Sequence, residues 1–216
     1  MRKAMTVLAA WWAFSTASGQ TLPDPPNPAK HYLFYLHGRI IKDGDVRPVH
    51  ETWGLYDYPA VVRALGSGGA VVVSEQRAQD TDIADYAAKV RRQIEALVEA
   101  GVPQSHITVV GFSKGGAIAI TVSGGMGEHY ADIRYVFLAA CADWVLDQPA
   151  LSLSGRVLTV SEATDDATSS CGGLEAHART LTEGAEVTIN TGAGHGAFYL
   201  PREVWVEPTL QWAHRS

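Results

Sequence analysis

Serine, histidine and carboxylate side chains recur in this chain directly after short apolar runs. The most telling place is Gly111-Phe112-Ser113-Lys114-Gly115-Gly116, which follows the β-branched run 107–110 and precedes the apolar stretch 115–122. G-x-S-x-G between a strand and a helix marks a sharp turn that holds the serine in a strained backbone conformation, its hydroxyl projecting from the sheet edge. Glycines two residues before and after the serine leave room for strand and helix to approach closely. A helix that begins at the serine also turns its N-terminal field toward negative charge on an attacked carbonyl oxygen. Ser113 is therefore the expected nucleophile.

A serine hydroxyl is a poor nucleophile unless a base takes its proton. Of the eight histidines, His195 lies in Gly192-Ala193-Gly194-His195-Gly196, just after the last strand-like run, and is the expected base. An acid should follow the run 156–160, in the loop Ser161-Glu162-Ala163-Thr164-Asp165-Asp166. Asp165 is the first choice, because it stands at a usual reach for orienting an imidazole. Asp166 and Glu162 are alternatives in the same loop, and Asp143, after the preceding strand, is a further one. The oxyanion of an attacked carbonyl needs two backbone N–H donors, one of them just past the nucleophile. Lys114 supplies that one, and Arg39, in the turn His37-Gly38-Arg39-Ile40, is expected to supply the other. The Arg39 side chain is also placed to meet a substrate carboxylate or an acidic sugar.

Strands and helices must alternate to position these residues. Runs 31–36, 70–73, 107–110, 135–139, 156–160 and 185–189 read as short buried strands. Between them, 56–65 reads as a helix with Pro59 in its first turn and Gly66 past its end. The clearest helix has apolar Ile83, Tyr86, Ala87, Val90, Ile94, Leu97 and Val98 at steps of three and four, stopped by Gly101 and Pro103. Residues 174–181 can be helical, and the stretch after Pro201 reads as a helix broken at Pro208. Continuous apolar strands separated by helices predict a doubly wound, mostly parallel sheet covered on both faces. In such sheets, function collects at the carboxyl ends of the strands, where His37, Glu75, Ser113, Cys141, Asp165 and His195 all fall.

Together, His37-Gly38, the Gly111–Gly115 turn, Asp165 and the Gly194-His195-Gly196 loop resemble the α/β-hydrolase superfamily, in matching order across nearly the whole chain from His31. The size is similar to that of small carboxylesterase-like and dienelactone-hydrolase-like members. The resemblance implies a cofactor-independent serine hydrolase that cleaves carboxylic esters through an acyl-enzyme, with Ser113 nucleophile, Asp165 acid and His195 base. A peptidase or amidase with the same triad, and a non-catalytic binding protein on the same fold, are the alternatives. The lipase-type HGGG is absent, and the stretch between Ala139 and Arg156 is too short for a large lid domain.

Arg2 and Lys3 precede an uncharged run from Ala4 to Ala17, closed by the small residues Ala17, Ser18 and Gly19. Residues 1–19 are therefore expected to be a secretory signal peptide, and the mature chain periplasmic or secreted. An uncleaved anchor is the alternative, although the run is shorter than the ~20 apolar residues a span needs. No second run of spanning length follows. Residues 20–30, with four prolines, read as an extended leader, and 31–216 as a single hydrolase domain. In an exported chain Cys141 and Cys171 are expected to pair, because neighbouring strands would bring their loops side by side and brace the acid loop.

Seventeen Lys and Arg against 23 Asp and Glu give a formal charge of −6 without a basic tract, so nucleic acid is not an expected partner. Gly66-Ser67-Gly68-Gly69 precedes a strand, which excludes a dinucleotide fingerprint, and His50-Glu51 lacks the second histidine of a zinc protease. No cofactor and no metal are expected; the partner is a small-molecule ester. Glu75-Gln76-Arg77 reads as a structural ion pair or pocket lining, and Trp53, Tyr56, Trp144 and Tyr199 as a pocket wall or core aromatics.

Overall fold

Five aromatic and aliphatic residues, Tyr32–Leu36, form β1, buried along its whole length. Their side chains alternate between two cores. Tyr32, Phe34 and Leu36 join one apolar cluster, whereas Leu33 and Tyr35 join another on the opposite face. The computed structural model of the protein describes residues 21–42, 44–146, 152–167, 171 and 180–215. Among these, β1, β4 (Val71–Val73), β5 (Ile107–Phe112), β6 (Arg134–Leu138), β7 (Ser154–Glu162) and β8 (Thr180–Ile189) build one sheet in the order β4-β1-β5-β6-β7-β8. Every neighbouring pair is parallel, so all six strands deliver their carboxyl ends to one edge.

Helices α2 (Ile83–Glu99) and α3 (Lys114–Met126) cover the first face; α1 (Tyr58–Leu65) and α5 (Glu203–Ala213) cover the second. The Asp82 carboxylate caps α2 by accepting from the Asp85 N–H at 2.9 Å, and Ala87, Val90, Ile94 and Leu97 form its buried stripe. α3 is apolar nearly all round, which fits a helix wedged between the sheet and α2. The expected doubly wound parallel sheet is thus the observed one.

Three local readings change. The last helix is continuous: Pro208 removes only the bond to the Val204 carbonyl, a residue 50% exposed, while buried Trp205, Thr209 and Trp212 hold the helix on the sheet. Thr180 and Leu181 begin β8 instead of ending a helix, and residues 174–179 of that expected helix lie outside the described ones. A hairpin of two-residue strands, β2 (Val49–His50) and β3 (Gly54–Leu55), stands between β1 and α1 with no counterpart in the sequence reading. Residues 1–20 lie outside the described ones, and from Thr21 the proline-rich stretch places Leu22 against the first core cluster. No helix among the described residues is long and apolar enough to cross a membrane.

Candidate functional site

Ser113 joins β5 to α3 with φ 53° and ψ −118°. That backbone conformation costs a serine about 1–3 kcal/mol, so the surroundings must impose it. Its N–H donates to the Leu138 carbonyl of β6 at 3.0 Å, and its own carbonyl accepts the first helical bond of α3, from Ala117 at 3.0 Å. The flanking glycines are steric requirements. A Cβ on Gly111 would stand 2.3 Å from the Gly115 oxygen, and one on Gly115 would stand 1.9 Å from the Leu36 oxygen. The helix start is pressed onto the ends of the central strands, and no larger residue fits between them.

His195 sits in the short turn Gly194–Phe198 after β8. Its Nδ1 lies 2.8 Å from Oδ2 of Asp165, whose side chain is completely buried. The rings of Trp53 and Phe112 flank the imidazole, each with its centroid 4.9 Å away. The other carboxylates considered for this position are elsewhere. Asp166 and Asp143 are exposed, the latter opening a short helix, α4 (Asp143–Leu146). Glu162 is 4% exposed and engaged on both oxygens. Oε2 accepts from the Thr164 N–H at 2.7 Å and its hydroxyl at 2.6 Å; Oε1 accepts from the N–H groups of Thr191 at 2.7 Å and Gly192 at 3.0 Å. Burial alone would raise its pKa, but these donors hold it below the ordinary carboxylate value. Glu162 thereby ties the Asp165 loop to the His195 loop.

Gly38 and Arg39 line the same cavity as Ser113 and Lys114, beyond the end of β1. As the first residue of α3, Lys114 has a backbone N–H without an intrahelical acceptor. Its Nζ donates to the Gln79 carbonyl at 2.8 Å, and burial together with the charges of Arg77 and Arg39 lowers its pKa. His37 does not face the cavity. It is buried beneath the loop, and burial with the neighbouring Arg77 charge pushes its pKa down to about 3.

The cavity measures about 750 Å³, within the usual range for small-molecule sites. Ser113 and His195 stand in its wall with Trp53, Tyr199 and the 56%-exposed Trp144. Tyr56 does not line it; it is fully buried, with its hydroxyl on that of Tyr35. Glu75 pairs with Lys89 and accepts from the Tyr86 hydroxyl at 2.8 Å, so the expected ion pair forms, but not with Arg77. Gln79, Asp80 and Ile83 complete the rim. They follow β4 as the other site residues follow their strands, and that placement was the available signal for them. Cys141 and Cys171 form a disulfide, with Cα atoms 5.2 Å apart, that ties the loop after β6 to the chain beyond Asp165. Among the described residues no group of three or more His, Cys, Asp or Glu is placed to hold a metal ion.

A family profile described as phospholipase/carboxylesterase matches residues 70–133. No curated protein matches the sequence significantly. Solved structures do. One is a protein of Pectobacterium atrosepticum described as a YdeN-like hydrolase, with 16% identity over 85% of this chain and 91% of that one and a TM-score of 0.55. Another is the esterase domain of a Rhodothermus marinus protein, with 16% identity over 89% and 91% and a TM-score of 0.52. A third is an esterase/lipase from an uncultured bacterium, with 14% identity over 88% and 79% and a TM-score of 0.54. At these identities the likeness is one of fold.

Proposed function

This chain has the α/β-hydrolase fold, and we propose that it is an exported serine hydrolase of small carboxylic esters. The observation that carries the reading is the 2.8 Å contact of His195 with buried Asp165, in the wall of the cavity that also holds Ser113. Asp165 accepts a hydrogen bond from the Nδ1–H of His195, which leaves Nε2 free to take a proton. Ser113 Oγ attacks the ester carbonyl as its proton passes to His195. The tetrahedral oxyanion is met by the Lys114 and Arg39 N–H groups, and its collapse expels the alcohol, protonated by His195. Water, deprotonated by the same imidazole, then releases the acid and restores Ser113.

Removal of residues 1–19 on export, with 20–30 as a leader to the domain at 31–216, fits both the N-terminal pattern and a disulfide, which persists in oxidising compartments. Labelling of the mature protein by a fluorophosphonate, beside Ser113→Ala and a series of p-nitrophenyl esters of rising acyl length, tests the reading. The expected outcome is labelling abolished in Ser113→Ala and hydrolysis strongest for short acyl chains. A folded wild-type protein that takes no label overturns it.

A further inference from the structure

Among the described residues, Arg77 is a buried cation without a carboxylate partner. It follows β4, is 4% exposed, and Glu75, close by in sequence, is committed to Lys89 and Tyr86. Its guanidinium makes one hydrogen bond, from Nη2 to the His37 carbonyl, while Nε and Nη1 have no partner. The cation lies over the Tyr86 ring, 5.2 Å from its centroid. Burying a charge on such terms is costly, and a neutral apolar side chain would fill the space more cheaply. The arrangement calls for a reason beyond packing.

That reason lies in what Arg77 holds. Its backbone N–H donates to His37 Nε2 at 2.9 Å, which makes Nε2 an acceptor and puts the ring proton on Nδ1. Nδ1 then donates to the Gly38 carbonyl at 2.8 Å, and that oxygen also accepts from the Ile41 N–H at 3.3 Å. The Gly38–Arg39 peptide is trans, so its N–H points opposite to its carbonyl. With the carbonyl drawn toward His37 and Ile41, the Arg39 N–H is turned away from them. Gly38 itself is close to the nucleophile: a Cβ built on it would lie 3.7 Å from Ser113 Cβ.

We propose that Arg77 is a positioning residue, acting through His37 to fix the Gly38–Arg39 peptide with its N–H presented to the oxyanion. The proposal rests on the serine-hydrolase reading above. Arg77 acts in two ways. It grips His37 at both the carbonyl and Nε2, and its charge opposes protonation of the imidazole, which would turn Nε2 from acceptor into donor.

Arg77→Gln and Arg77→Lys test this, with rates expressed per fluorophosphonate-titrated site so that misfolded protein does not count. Arg77→Gln should lower kcat on a short p-nitrophenyl ester ten- to a hundredfold, with KM moving less than about threefold. Affinity for a trifluoromethyl ketone, whose serine adduct carries the oxyanion, should fall by the same factor, and Arg77→Lys should recover part of both. Unchanged kcat and ketone affinity in labelled Arg77→Gln, or a rise in KM alone, overturns the proposal but not the hydrolase reading. No labelling of wild type overturns both. Should Arg77→Gln not fold, ¹⁵N-histidine spectra of the wild type still decide: His37 must be the neutral Nδ1–H tautomer from pH 5 to 8, and an Nε2–H tautomer or a titrating ring overturns the role.

Discussion

Among the described residues a group of three histidines stands at each end of the parallel sheet, and the two groups are built on opposite principles. At the carboxyl edge every imidazole has a hydrogen-bond partner: Asp165 for His195, the Arg77 N–H and Gly38 carbonyl for His37, the Thr52 and Trp53 N–H groups for His50. At the amino edge His31, His106 and His214 are packed as rings. His31 stacks on His106 at 4.1 Å and leans on His214 at 4.6 Å. One ring nitrogen of each is buried with no partner. Arg134 stands beside them and donates to the carbonyls of Ser105 and Arg215. Hydrogen bonds fix which nitrogen holds a proton, whereas stacking leaves that open. A histidine in a sequence announces neither state; only the partner does.

The sharpest way to test that contrast is to remove one ring from each end. His195→Ala should lower kcat about 10⁴-fold or more, as loss of the base does in serine hydrolases, with little change in Tm. His31→Phe keeps a ring in the stack and should leave kcat within about twofold. Ester hydrolysis and thermal melts on both variants check this, and comparable losses of kcat would erase the distinction.

A smaller effect is expected from the staple found at the carboxyl edge. Replacing Cys141 and Cys171 together with Ala should cost about 2–4 kcal/mol of stability by loop entropy. Denaturant melts measure the loss, and limited proteolysis should find the first cut near the Asp165 loop. Cutting at the amino edge instead would show that the bond does not brace the site.

The smallest effect is electrostatic. Burial, followed by the charges of His106, His214 and Arg134, lowers the His31 pKa to about 4, well under its ordinary 6.5. The unfolded chain therefore binds this proton first as the pH falls. The stability His31 contributes is complete above pH 6.5 and is lost as the pH drops toward 4. His37, lowered to about 3, acts in the same direction. Tm measured from pH 8 to pH 4 should fall through this window, and less steeply in His31→Phe. Identical slopes would remove His31 from the account.

What could be read from the sequence follows the same division. The turn at Ser113 was legible because its glycines record a steric demand, made visible by the 1.9 Å approach of a Gly115 Cβ to the Leu36 oxygen. The sheet was legible because each strand is apolar without interruption. For the acid the sequence put Asp165 first with Asp166 and Glu162 beside it in one loop, and the contacts that distinguish the three, with the loops at His195 and Thr191, are made only in the fold. The β2–β3 hairpin that brings Trp53 over His195 has strands too short to show a period. His31, His106 and His214 lie far apart in sequence and meet only through the fold.

Glu162 gives the Asp165 and His195 loops a property neither has alone. Because its two oxygens grip Thr164 on one side and Thr191 and Gly192 on the other, the loops are tied into one cassette. Asp165 and His195 are thereby both referenced to one carboxylate at the end of β7. The cassette is also the unit of transplantation. Grafting Asp165 and His195 alone onto another parallel sheet would carry over the proposed acid and base and leave behind the part that keeps them in register.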